Sequence, residues 1–75
     1  MNKKVEKTMN IDRIELIAEM SRQGIKIQEL ADRAGLPRFI ITALRRGKAP
    51  TYGSVYLVAK VLGVPIEYLL ENKGE

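Results

Sequence analysis

Residues 24–48 read GIKIQELADRAGLPRFIITALRRGK, and the stretch spells two short helices with a glycine between them. Ile27, Leu30, Ala31 and Ala34 recur at spacings of three and four, which predicts a helix over 27–34 with one inward face. Gly35 ends that helix, because the residue just past a helix commonly takes positive φ, a conformation uphill for any residue with a Cβ. Pro37 has a fixed φ and no N–H, both suited to the first position of a helix. A second helix therefore starts within two residues of the glycine and runs to about Arg46, with Ile41 and Leu44 inward and Gly47 as its stop. The chain must bend sharply, and the two helices must pack on each other.

That packing sets requirements the stretch meets. Counting Ile27 as the first position, a small residue, Ala31, stands fifth, where the helices cross. Gly35 stands ninth in the turn, and branched apolar residues, Ile41 and Leu44, stand fifteenth and eighteenth. Leu30 and Leu36 fill the flanking apolar positions. Together these are the packing positions of a helix-turn-helix.

Outward from this motif the chain reads as further helices. A first helix is expected from Asn10 or Ile11 to about Arg22, with Ile14, Ile17, Ala18 and Ser21 inward and Gly24 closing it. Its opposite face, with Asp12, Arg13, Glu15, Glu19 and Arg22, reads as solvated and carries a Glu15, Glu19, Arg22 ladder at helical spacing. Thr51, after Pro50, is a good N-cap for a fourth helix that turns Val55, Val58, Ala59 and Leu62 inward and stops at Gly63. Pro65 opens a last short helix, whose Ile66, Leu69 and Leu70 close the bottom of the core. The expected fold is all-α with five short helices and no strand pair.

Seventy-five residues make one domain, since a chain this short buries only about 60 % of its unfolded surface and cannot divide that core. The polar, lysine-rich MNKKVEKTMN of residues 1–10 reads as a flexible basic arm, residues 11–72 as the domain, and 73–75 as a tail after a fraying end. There is no cysteine and no histidine, which removes thiolate nucleophiles, disulfides, the commonest metal ligands and the usual proton shuttle at neutral pH. No enzyme activity, metal or cofactor is expected. The longest apolar stretch, Val55 to Ile66, is interrupted by Lys60 and Gly63 and falls short of the roughly 18 residues of a membrane span. No apolar signal core follows Lys3, Lys4 and Lys7, so a cytoplasmic protein is expected. The net charge of +4 is concentrated: residues 27–53 hold five basic side chains against two acidic ones, whereas 54–75 hold two against three. One face should carry most of the positive potential, which points to a polyanionic partner.

With these residues in place the chain resembles the Cro and cI repressor class, the Xre family of helix-turn-helix regulators, over roughly Ile11 to Asn72. GIKIQELADRAGLPRFIITALRRGK looks like the family's second helix, turn and recognition helix. APTYGSVYLVAKVLGVPIEYLLEN is similar to its fourth and fifth helices, where a proline, a capping hydroxyl, an alanine-lysine pair, a glycine and a terminal leucine pair recur. The resemblance implies a five-helix, lambda-repressor-like domain whose third helix, 37–46, lies in the major groove of double-stranded DNA. It puts Arg38 at the leading base-contact position, where a guanidinium grips guanine O6 and N7 with two parallel hydrogen bonds. Phe39, Thr42 and Ala43 share the reading face. Gln28, Arg46, Lys48 and Thr51 fall where the family holds the DNA backbone, and Lys3, Lys4 and Lys7 form a mobile arm along a groove.

The departures from the family's pattern are specific. Phe39 and Ile40 stand where polar residues are usual, Ile27 replaces a customary glutamine with Gln28 one place on, and Arg45 replaces a frequent glutamate. Phe39 suits thymine methyls, a protein contact or the core, and Ile40 suits the core. Two functions are expected to compete. The first is a phage or mobile-element transcriptional regulator that binds operator DNA as a weak homodimer completed on the DNA, with dimer contacts near Tyr56, Tyr68 and Leu70. The alternative is an antirepressor or modulator that keeps the fold and binds a partner regulator through Phe39 and its neighbours.

Overall fold

The computed structural model describes residues 9–70. In chain order it has β1 (Met9–Asn10), α1 (Arg13–Gln23), α2 (Ile27–Ala34), α3 (Arg38–Arg45), β2 (Lys48–Ala49), α4 (Tyr52–Leu62) and α5 (Ile66–Leu69). The five helices follow the expected order, and the fold is the all-α, lambda-repressor-like one. Residues 1–8 of the expected arm, with Lys3, Lys4 and Lys7, and residues 71–75, which include the expected tail 73–75, lie outside the described residues.

The core is a single cluster drawn from every helix. Leu16 and Met20 of α1, Leu30, Ala31 and Ala34 of α2, Ile41 and Leu44 of α3, Val55, Val58, Ala59 and Leu62 of α4, and Leu69 of α5 are all buried. No helix here exceeds 11 residues, a length that is marginal alone in water, so each is held by the apolar face it buries rather than by propensity. Helix α3 packs on both α1 and α2, and α4 packs on α1, α2 and α5.

Turn chemistry fixes the α2–α3 corner. Gly35 has φ +71°, the Leu36 N–H donates to the Ala31 carbonyl at 3.0 Å, and Pro37 enters α3 from extended backbone. At the other corner Thr51 caps α4, its Oγ1 accepting from the Ser54 N–H at 3.1 Å.

Three expectations are corrected. First, α1 begins at Arg13, because Asp12 is its N-cap and its carboxylate accepts from the Glu15 N–H at 3.2 Å. Second, the inward face of α1 is Leu16, Glu19 and Met20, not Ile14, Ile17, Ala18 and Ser21. Ile14 is 68 % exposed and Ser21 is exposed, while Ile17 and Ala18 are half-buried at the edge. Apolar residues stand at 11, 14, 16, 17, 18 and 20, nearly all round the helix, so periodicity leaves two faces open. What the helix packs against then decides, and Leu16 and Met20 take the core.

Glu19 is accordingly not on a solvated face. It is 7 % exposed, pairs with Arg22 and accepts from Gln23 Nε2 at 2.7 Å. Gln23 Nε2 also donates to the Leu62 carbonyl at 2.7 Å, so this group ties the end of α1 to the end of α4. The buried carboxylate is satisfied by hydrogen bonds, which is the condition for burying it at all.

Third, a strand pair exists. β1 and β2 run antiparallel with Met9 opposite Ala49 and Asn10 opposite Lys48. The Ile11 N–H continues the ladder to the Gly47 carbonyl at 3.0 Å, the Asp12 N–H donates to the Leu69 carbonyl at 2.9 Å, and Ile11 bridges to Leu70. The entry to α1 is thus stitched to both the end of α3 and the end of α5. Two-residue strands held by backbone alone leave no side-chain alternation to read.

Candidate nucleic-acid interface

Helix α3 divides its eight residues sharply. Ile41 and Leu44 are buried, pointing back into the core against α2, while Arg38 and Phe39 at its first turn are exposed. Ala31 is buried within α2, and with Gly35 left-handed in the turn these four residues hold α3 across α2. Phe39 is 70 % exposed, so it is not a core residue, whereas Ile40 is half-buried and packs against the core. Thr42 and Ala43 are half-buried, and the Thr42 hydroxyl donates back to the Arg38 carbonyl at 3.3 Å. Of the four residues expected to read bases, Arg38 and Phe39 therefore stand outward, with Thr42 and Ala43 set deeper.

The residues expected at the DNA backbone separate into different environments. Gln28 is exposed on the first turn of α2, its Nε2 donating to Asp32 Oδ1 at 2.9 Å. It shares an open cleft of about 570 Å³ with Arg38, and the same cleft is lined by Lys26 and Arg45. Arg46 is exposed at the C-terminal cap of α3 and lines a second cleft of about 300 Å³ with Arg13. Lys48 is exposed on β2, opposite Asn10. Thr51 is exposed, yet its hydroxyl is engaged as the α4 cap and lies 2.9 Å from Ser54 Oγ.

Lys26, Arg45 and Arg13 join these clefts although none was expected among the site residues; Arg45 was noted only as a departure from the family's pattern. For Arg45 a signal was present: it stands seven residues after Arg38, two helical turns on, and so falls on nearly the same side of α3. Lys26 and Arg13 come from other helices, and only the fold brings them there. Elsewhere on α2, Arg33 pairs with Glu29 at 3.6 Å with both side chains about half exposed, a surface pair of little energetic weight.

A model of the helix-turn-helix family matches residues 14–69, which spans α1 to α5. The chain belongs to that family, the Cro- and cI-type, Xre-like regulators. Its members are DNA-binding regulatory domains, and α2, the Gly35 turn and α3 are this chain's copy of the family's motif. Among curated proteins none matches the chain. Among the described residues no helix is long and apolar enough to cross a membrane, and no cluster of acidic or other ligating side chains is arranged to hold a metal ion.

Proposed function

We propose that this chain is a sequence-specific transcriptional regulator of the phage or mobile-element repressor type, without a catalytic step, acting in the cytoplasm on double-stranded DNA. The observation that carries the reading is Arg38 exposed on the first turn of a helix whose opposite side, Ile41 and Leu44, is fully buried. In that pose α3 enters the major groove with Arg38 over a guanine edge, while Phe39 meets thymine methyls and Thr42 and Ala43 lie behind them. Gln28, Arg46 and Lys48 supply backbone contacts that position the domain without reading sequence. Thr51 acts there chiefly by shaping the start of α4. Two copies bind a symmetric operator as a weak homodimer completed on the DNA, with the exposed Tyr56 and Tyr68 at the dimer contact.

Selection of bound duplexes from a random pool tests this, followed by affinity for the selected and a scrambled duplex at two salt concentrations. A two-fold-symmetric site preferred by about 10³ or more supports it. Binding that is weak, equal on both duplexes and lost with salt overturns it. Arg38→Ala is expected to erase about 1–3 kcal/mol of discrimination at one base pair of each half-site, read as a fall in the ratio of the two affinities.

The 70 % exposure of Phe39 favours a second reading, an antirepressor or modulator that binds a partner regulator through this side chain. Phe39→Ala then releases the protein partner, and Arg38→Ala leaves that complex intact.

A further inference from the structure

Helix α3, RFIITALR, is poor in the groups that read bases. Only Arg38, Thr42 and Arg45 carry a polar side chain there, and none of the eight residues is an asparagine, glutamine, aspartate or glutamate. Adenine is gripped by a bidentate amide and cytosine N4 by a carboxylate, so this helix grips neither in that way. The Thr42 hydroxyl spends its one donor on the Arg38 carbonyl at 3.3 Å. Arg45 stands seven residues past Arg38, about 10.5 Å further along the axis and away from the first turn. At that first turn the polar reader is therefore Arg38, and its neighbour is an apolar ring, Phe39, 70 % exposed.

Charge narrows what that ring meets. The cleft that Arg38 lines also holds Lys26 and Arg45 and no aspartate or glutamate, so the surface beside Phe39 favours a polyanion. In the major groove of DNA the apolar group that a base presents is the methyl at C5 of thymine. 5-Methylcytosine presents the same methyl at the same place. The two bases differ at C4, where thymine has an oxygen that accepts and 5-methylcytosine an amine that donates. Telling them apart at that edge takes a donor for the oxygen or an acceptor for the amine, and a phenyl ring is neither. Resting on the DNA-binding reading above, we infer that Phe39 packs on a C5-methyl group beside the guanine that Arg38 holds, and that the chain accepts 5-methylcytosine there as it accepts thymine. Cytosine methylation at that step turns a poor site into a good one, because Phe39 reads the methyl and not the base.

The test is made on the DNA. In the duplex selected from the random pool, each thymine is replaced in turn by uracil, which deletes only the methyl, by cytosine and by 5-methylcytosine, the last two opposite guanine. Native protein and Phe39→Ala are titrated against each. At one position of each half-site native protein is expected to bind uracil about fourfold more weakly than thymine, the contribution of one buried methyl, and about fifteenfold more weakly with both half-sites changed. Cytosine is expected to match uracil there, and 5-methylcytosine to match thymine. Phe39→Ala, folded by circular dichroism, is expected to bind all four alike, and Phe39→Leu, still apolar, to keep the preference for a methyl. Uracil equal to thymine at every position overturns the inference with the protein unaltered, and so does 5-methylcytosine binding as weakly as cytosine. A Phe39→Ala protein that keeps the native methyl preference also overturns it and leaves the ring to a protein partner. Native protein that prefers no duplex overturns the DNA-binding reading itself, a result distinct from these.

Discussion

Phe39 and Ile41 stand two residues apart on one helix of eight residues and are expected to fail in opposite ways when truncated to alanine. Ile41 is 0 % exposed, and removing its side chain leaves a cavity in the α2–α3 contact. Large-to-small changes of that kind cost about 2–5 kcal/mol. Phe39 is 70 % exposed. A fully buried phenylalanine loses about 3–5 kcal/mol on truncation, so a ring with under a third of its surface covered loses about 1 kcal/mol. At 4–8 °C per kcal/mol for a domain this size, Phe39→Ala lowers Tm by about 4–8 °C and Ile41→Ala by about 8 °C or more. Against a total stability of roughly 4–11 kcal/mol, the second change alone brings the fold near its limit. Urea or thermal unfolding followed by circular dichroism measures both, and titration against the selected duplex, or against a partner regulator, measures what Phe39 contributes to binding. Equal destabilisation by the two variants would refute the assignment of Phe39 to an outward face. A Phe39→Ala protein with native stability and native binding to both partners would refute its assignment to recognition.

Two further substitutions probe the corners that orient α3. Gly35→Ala is expected to lose about 1–2 kcal/mol in denaturant unfolding, because the position holds φ +71° and the added Cβ meets no atom within 4 Å, leaving backbone strain as the sole cause. Thr51→Ala is expected to lose about 1 kcal/mol with the cap bond to Ser54, and Thr51→Ser to restore it. If Thr51→Ala instead flattened the salt slope of DNA binding while stability held, the hydroxyl would belong to the phosphate contacts rather than to the α4 cap.

What was legible in the sequence was local. The bounds of α2, the left-handed Gly35, the entry at Pro37, the cap at Thr51 and the inward stripe of α4 each depend on residues within a turn of one another, so spacing alone defines them. The inner face of α1 was not legible, since a helix apolar nearly all round is oriented by what it meets, and Leu62 of α4 is what gives Gln23 its acceptor and draws Glu19 inside. Likewise β1–β2 joins residues 38 and 40 positions apart through backbone groups common to every sequence. Of the candidate site, Arg38 came from the resemblance to the family, whereas the cationic cleft had no local signature: Lys26, Arg38 and Arg45 converge from two helices. Exposure decided Phe39, for which spacing left the core open.

The division of α3 has a consequence for how recognition and stability are linked. At 1.5 Å per residue its eight residues span about 12 Å, close to the width of the major groove, and a helix so short does not persist alone in water. The outward face of α3 exists only because Ile41 and Leu44 are buried behind it. A change at either inward position therefore lowers DNA affinity through the folded fraction, equally for every duplex, and is reversed by cooling toward the temperature of maximum stability. On the proposed reading, changes at Arg38 or Phe39 act on the bound contacts themselves and are expected to persist however stable the fold is made. Stabilising substitutions elsewhere, for example in α4, thus rescue binding lost at Ile41 or Leu44 and leave binding lost at Arg38 unrescued, which separates residues that build the helix from those that use it.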